Sequence, residues 1–406
     1  MADETAPIWK RNLRVLSISV FFAGMGFSEI MPFLSLYIAT LGNYSYSQLN
    51  FYSGIVFSVM YVVSAITSPY WGKLADQKGR KLMILRASLG MAIVIAAMGA
   101  VQNVWELMIL RMLQGVFAGF VSNANALIAT ETPKKQAGSA LGTMASGVTG
   151  GTLLGPLMGG ALASMFSYRM TFFITGAILL MIFFACLFFV HEEGFVPVTD
   201  KKLDKASGVI HELDQPRVIF GLLITTMIIQ AANNSINPII SLFIKELMHG
   251  GHGVTLVAGI VAALPGISTM VAAPLLGRLG DRIGTHKILI FGFLLQIACF
   301  IPSAFVTNPL QLGILRFIIG IGNASLFPQV QTLLTKNTPS MLTGRIFSWN
   351  QSFMYIGNIF GPLIGGAVAG CWDYAQVFLS TAGLVFINMV LFIFNVFHPL
   401  EQHKDN

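Results

Sequence analysis

Glu29-Ile-Met-Pro-Phe-Leu-Ser-Leu-Tyr-Ile38 returns 206 residues later as Ser235-Ile-Asn-Pro-Ile-Ile-Ser-Leu-Phe-Ile244. The register holds well beyond this stretch. Gly72, Asp76 and Gly79 recur as Gly277, Asp281 and Gly284, and Arg111 recurs as Arg316. Gly155-Pro156 with Gly159-Gly160 recurs as Gly361-Pro362 with Gly365-Gly366. Matches that keep a spacing of 205–206 along nearly the whole chain mark an internal duplication, so the chain is read as two related halves.

The composition says what solvent those halves meet. Of 406 residues, 55% are hydrophobic and 10% are charged, against about 25% charged in soluble domains. So little polar surface cannot cover a water-soluble globule, and the chain is expected to sit in lipid. Its net charge of +7 does not imply a nucleic-acid partner, because the basic residues fall in short connections between apolar runs. Cys186, Cys299 and Cys371 have neither disulfide nor metal spacing and read as small hydrophobes. The first apolar stretch continues to about Leu41, too far for a signal peptide, and reads as a membrane span.

Apolar runs lie near 12–41, 47–72, 82–101, 105–130, 138–163 and 169–190. After a polar stretch, six more lie near 217–247, 254–277, 287–306, 309–335, 341–370 and 375–397. The expected fold is therefore an all-α integral membrane protein of twelve transmembrane helices. A first six-helix bundle covers 1–190, a cytoplasmic loop 191–216, and a second bundle with a short tail 217–406. Lysine and arginine concentrate in alternate connections: Lys10, Arg11 and Arg14; Lys73 to Arg86; Lys134 and Lys135; Lys201, Lys202, Lys205 and Arg217; Arg278 to Lys287; Lys336 and Arg345; and Lys404. The positive-inside rule places these, and both termini, in the cytoplasm. Six spans per half make the repeats parallel, the arrangement of a transporter whose substrate site lies between its halves near the midplane.

Glu29 stands near the middle of the first span, before Pro32. An acid at that depth costs roughly 2.5–3.5 kcal/mol on insertion scales, so it should face a cavity or a partner. A carboxyl out of water holds its proton more readily, which is what a proton carrier needs. A structural acid and a contact for a cationic substrate are the other readings. The counterpart of Glu29 is Ser235, so the acid is not demanded by the shared architecture. Gln230, Asn233, Asn234 and Asn237 fall at i, i+3, i+4 and i+7 and share one helix face. Asn350, Gln351, Tyr355 and Asn358 add polar groups late in the chain, and Asn123 and Asn125 add two in the fourth span. They are expected to line a wet cavity, with helix–helix hydrogen bonding as the other use. Phe22, Met25 and Phe33 accompany Glu29 and suit an adaptable apolar pocket.

Gly72-Lys-Leu-Ala-Asp-Gln-Lys-Gly-Arg-Lys81 has two glycines for a tight turn and, in Asp76, an anion for a neighbouring helix N-terminus. With Arg80 it is expected to form a conformational latch, as well as to set topology by its charge. Asp281 belongs to a weaker second copy, in which Thr285 and His286 replace Arg80 and Lys81. Gly147, Gly151, Gly155 and Gly159 recur every four residues and give one smooth helix face, while Pro156 invites a kink. No Gly-x-x-x-x-Gly-Lys-Ser/Thr loop is present, so no nucleotide or other cofactor is expected. No metal site or enzymatic activity is expected either, and the energy should come from an ion gradient, with protons favoured.

The segment 72–81 resembles the signature between the second and third helices of the major facilitator superfamily, with Gln77 where members often carry arginine. Leu107-Met-Ile-Leu-Arg-Met-Leu-Gln-Gly115 resembles a second family motif, and Gly155-Pro156-Leu-Met-Gly-Gly160 a pattern associated with its drug:proton antiporters. Ala124-Asn-Ala-Leu-Ile-Ala-Thr130 and Gly344-Arg-Ile-Phe-Ser-Trp-Asn-Gln-Ser352 extend the likeness to the bacterial twelve-helix members of that group. The resemblance implies two pseudo-symmetric bundles and export of amphipathic drugs in exchange for protons by alternating access. It further implies a monomer in the inner membrane, with Glu29 and Arg111 lining one cavity so that the arginine times proton release. Against that role, Arg111 stands about one turn from the outer end of its span and could instead snorkel. A proton-coupled importer or exporter of a sugar, metabolite or lipid is the alternative. A receptor or sensor would call for an appended domain, for which the loops are too short.

Overall fold

The computed structural model describes residues 7–133, 136–193, 195, 213, 215–339 and 342–399. Lys134, Lys135, Lys201, Lys202, Lys205, Lys404 and most of the stretch 191–216 lie outside the described residues.

Among the described residues the chain is helical throughout, with no strand. The first half comprises α1 (Ile8–Ser28), α2 (Leu34–Thr40), α3 (Tyr46–Lys78), α4 (Arg80–Met98), α5 (Val104–Val116), α6 (Phe120–Glu131), α7 (Ala137–Met165) and α8 (Tyr168–Phe189). The second comprises α9 (Pro216–Ser235), α10 (Ile240–Leu247), α11 (Val254–Ile283), α12 (Thr285–Ser303), α13 (Pro309–Lys336), α14 (Thr343–Cys371) and α15 (Tyr374–Phe392), which ends in a π turn over Ile393–Phe397. Ten helical stretches among the described residues are long and apolar enough to cross a membrane. The other two expected spans, α1 with α2 and the glycine-rich α7, are helical as well.

Three spans expected as single helices are each broken. The first opens between Ser28 and Leu34, and the seventh between Ser235 and Ile240. Pro32 and Pro238 fall in these breaks, where a missing N–H interrupts the helical ladder. The fourth opens between Val116 and Phe120, where Gly119 takes φ +104°. Its counterpart α13 runs unbroken.

The duplication reaches individual contacts. A Cβ on Gly151, Gly155 or Gly159 of α7 would strike the carbonyl oxygen of Phe21, Met25 or Glu29. A Cβ on Gly357, Gly361 or Gly365 of α14 would strike that of Met227, Ala231 or Ser235, each 206 residues on. Ser64 donates to the Gly115 carbonyl at 3.2 Å, and Thr269 to that of Gly320 at 2.7 Å. Asn103 caps α5 through the Glu106 N–H as Asn308 caps α13 through that of Gln311.

By contact, Met1–Asn43 and Val59–Lys201 form one compact unit, and Tyr44–Ser58 with Lys202–Asn406 form the other. The opening turns of α3 therefore group with the second unit. There Ser58 donates to the Ile359 carbonyl at 2.8 Å, and a Cβ on Gly366 would lie 2.6 Å from the Asn50 carbonyl oxygen.

Candidate functional site

Glu29 is the first residue past α1, at the break before α2. Its side chain is fully buried, and neither carboxyl oxygen has a hydrogen-bond partner. The glycines of α7 explain how it comes to be enclosed. One glycine per turn lets α7 lie directly on the α1 backbone, with Gly147 on Ser17, Gly151 on Phe21, Gly155 on Met25 and Gly159 on Glu29. The glycine stripe and the acid, separate features of the sequence, are one structure. Pro156 is buried within α7, which runs unbroken through it.

A partnerless buried carboxyl is costly, and such groups are rare in folded proteins. In a membrane protein acids at such positions are rare and face the bundle interior or a cavity.

Arg111, expected beside this acid, is 1% exposed and makes no ion pair with it. Its Nη1 donates to Gln114 Oε1 at 2.7 Å, one turn along α5. It stands in the middle of α5 and is buried, so it does not snorkel to an aqueous surface. Phe22 is half-buried with its ring edge-on to Phe21, and Met25 is buried against α7. Phe33, expected in an adaptable pocket, is instead locked in an aromatic core. It stacks on Tyr168 at 5.8 Å and meets Phe172 edge-on at 5.5 Å. On α6, Asn123 donates to the Gly119 carbonyl at 2.7 Å, and the Oδ1 of Asn125 is buried without a partner.

The second bundle holds a chain of carboxamides. Asn237 donates to Asn234 Oδ1 at 2.8 Å, and Asn234 donates to Asn358 Oδ1 on α14 at 2.9 Å. The same Asn234 amide donates to the Gln230 carbonyl at 2.9 Å. Asn233 is half-buried. Asn350 is 2% exposed with an unpartnered Oδ1, while Gln351 is exposed and hydrogen-bonded to Tyr355. Ser235, in the place of Glu29, is hydrogen-bonded to Thr381 at 2.8 Å.

The segment 72–81 differs from its expected form. Gly72 lies inside α3 with nothing near the position of a Cβ, so it makes no turn. Gly79 alone has positive φ, +94°, and ends the helix. Asp76 forms an ion pair with Arg80 one turn on. The anion at the α4 N-terminus is Glu192, whose two carboxyl oxygens accept the Arg80 and Lys81 N–H groups at 2.8 and 2.9 Å. Asp281, in the second copy, is exposed.

Sequence reading missed this knot of side chains. Asn12, fully buried, donates to Glu131 Oε2 and to the His191 carbonyl, each at 2.6 Å. Arg11 donates to Nδ1 of His191 at 2.7 Å. The start of the central stretch thereby ties α1, α4 and α6 together. The available signal was Glu192-Glu193, an acidic pair just past the end of the sixth apolar run. Arg86 was also misplaced: it lies inside α4 rather than in the connection before it.

Comparison with known proteins places this geometry in a family. The Major Facilitator Superfamily model matches residues 16–229 and 222–406. The chain is 48% identical over 388 residues to "Multidrug resistance protein MdtG" of Escherichia coli (strain SMS-3-5 / SECEC), covering 96% of this chain and 95% of that protein. Among solved structures, a bacterial homolog of the human lysosomal transporter Spinster, in an inward-facing and occupied conformation, superposes with a TM-score of 0.80 at 15% identity, covering 96% of this chain and 97% of that one. The nucleoside transporter NupG superposes with a TM-score of 0.75 at 16% identity, covering 94% and 99%. At these identities the structural likeness concerns the fold.

Proposed function

This chain belongs to the Major Facilitator Superfamily, and we propose that it exports amphipathic, drug-like molecules across the inner membrane in exchange for protons. The likeness to a multidrug resistance protein along almost the full length of both chains supports the substrate class and direction. The observation that carries the proton half is Glu29, fully buried with no partner on either carboxyl oxygen. A carboxyl held by a salt bridge is reluctant to gain a proton; one with no partner is free to gain and release it as its surroundings change.

The cycle rests on few residues. Glu29 takes a proton when its side of the first bundle is open to the outside and gives it up when open to the cytoplasm. Arg111, buried on α5, supplies a fixed positive charge in the same bundle. The carboxamides of α9 and α14, with Asn125 on α6, supply hydrogen bonds to the polar end of an amphipathic substrate. Phe22 and Met25 supply apolar contact. Protons replace any cofactor, the protein works as a monomer, and both termini face the cytoplasm.

The test is ethidium export from cells expressing wild type or Glu29→Gln, with and without a protonophore. Export that the protonophore abolishes, and that Glu29→Gln lacks at equal expression, is the expected result. A wild type that never lowers dye accumulation would overturn drug export. Normal export by Glu29→Gln would remove Glu29 from the coupling step.

A further inference from the structure

The first bundle carries a device that the second lacks. Its fourth span is broken between Val116 and Phe120, and a break within a membrane frees carbonyl groups that need partners outside the helical ladder. Neighbouring side chains meet them. Ser64 of α3 donates to Gly115 O at 3.2 Å. Arg86 of α4 donates through Nη1 to Val116 O at 3.3 Å and through Nη2 to Ala118 O at 2.7 Å. Asn123 donates to Gly119 O at 2.7 Å.

Arg86 is itself held. Its guanidinium lies 3.8 Å from the centroid of the Trp71 ring, a stacking geometry that suits a planar cation. One turn along α4, Gly90 leaves the room taken by the Phe117 ring, since a Cβ there would overlap that ring.

The repeat supplies the control. At a spacing of 205 the counterparts of Trp71, Arg86 and Gly119 are Leu276, Phe291 and Ala324. With no guanidinium and no left-handed glycine, the corresponding span, α13, is one helix from Pro309 to Lys336. Two spans of common design thus differ in continuity where these residues differ.

We propose that Arg86 is a positioning residue: it holds the fourth span as two helices, and through that break it sets the face on which α6 carries Asn125 relative to Arg111 on α5. Its guanidinium takes over two carbonyls that a continuous helix would satisfy internally. Its effect on transport rests on the export reading above; its effect on the helix does not.

The test uses the full chain with Cys371→Ser, the buried Cys186 and Cys299 left in place, and spin labels on Ile109→Cys and Thr130→Cys. Ile109 and Thr130 are both exposed, one on α5 and one on α6. An unbroken helix would set them about 32 Å apart along its axis. Arg86→Met should move the interspin distance toward that value or broaden its distribution, whereas Arg86→Lys, which keeps donors for the two carbonyls, should retain the wild-type distribution. In dye-export assays Arg86→Met should raise the KM for ethidium more than it lowers the maximal rate, with Arg86→Lys restoring it. A loss of packing alone would not give that split or that rescue. An unchanged distance distribution in Arg86→Met overturns the proposal whatever transport does. If Arg86→Met does not fold, Gly90→Ala addresses the same break from the Phe117 side: a shifted distance supports the proposal, and an unchanged one overturns it. A shifted distance in a protein that exports no dye leaves the helix break assigned and removes the export reading.

Discussion

Gly159 of α7 lies so close to Glu29 that a methyl group on it would overlap the Glu29 carbonyl oxygen. The break that carries the acid and the helix that covers it are thus fitted to each other at one backbone contact. Ser235 and Gly365 repeat the contact without the acid. The fold therefore needs the contact, and the carboxyl is an addition to one half.

This relationship makes glycine substitutions along α7 unequal. Gly159→Ala should force α7 away from α1 and lower stability by about 1–3 kcal/mol, the usual range for overpacking. Gly142→Ala, with nothing within 4 Å of its Cβ position, should raise stability by up to about 1 kcal/mol, since alanine restricts the unfolded chain and favours the helix. Thermal unfolding of both purified variants, followed by tryptophan fluorescence, checks the contrast. Equal shifts would show that close approach to α1 is not what the glycine provides.

The architecture was legible because it rests on features that a linear sequence records. Apolar run lengths give spans, and the offset between Glu29 and Ser235 gives the internal repeat. The α7 glycine stripe was readable as a contact face for the same reason. The breaks were harder to read. Pro32 and Pro238 signalled two of them, but the third lies at Gly119 in a left-handed conformation, beside carbonyls met by Arg86 from another helix, a pairing that no local pattern records. Partner choice was not legible at all. The expected anion at a helix N-terminus was Asp76, yet Asp76 pairs with Arg80 and Glu192 takes the position, from more than a hundred residues downstream.

Glu192 accepts two N–H groups at the start of α4, one on each carboxyl oxygen. Removing such a cap costs about 0.5–2 kcal/mol. Glu192→Ala should therefore lower the unfolding temperature, whereas Glu192→Gln, with one acceptor oxygen left, should lose less. Gly79→Ala should also destabilise, by roughly 1–2 kcal/mol, because Gly79 sits at φ +94°. The double variant should fall short of additivity, since a Cβ on Gly79 would lie 2.6 Å from the Glu192 carboxyl. Strict additivity in thermal unfolding would count against the shared geometry.

The carboxamide chain of the second bundle predicts a measurable coupling. Asn234 donates to Asn358 across α9 and α14 at 2.9 Å. In a double-mutant cycle of Asn234→Ala and Asn358→Ala, the interaction energy should be near 0.6 kcal/mol, the average for such bonds in membrane helices. The same variants should weaken dye binding if these side chains meet substrate. Coupling without any change in binding would make the chain helix–helix glue alone.

Glu29 decides between coupling and binding. A glutamine there has nearly the shape of the protonated acid but cannot release a proton. In proteoliposomes, Glu29→Gln should abolish accumulation of ethidium driven by a pH gradient, because no group is left to exchange a proton for the dye. Exchange of internal for external dye at equilibrium should continue, because it needs substrate to be carried both ways with no net proton movement. Loss of both activities in a folded variant would mean that the carboxylate contacts the cationic substrate itself. Retention of gradient-driven accumulation would send the search for the coupling group elsewhere in the bundle, although the burial and partnerless oxygens of Glu29 would then still require an account of what they are kept for.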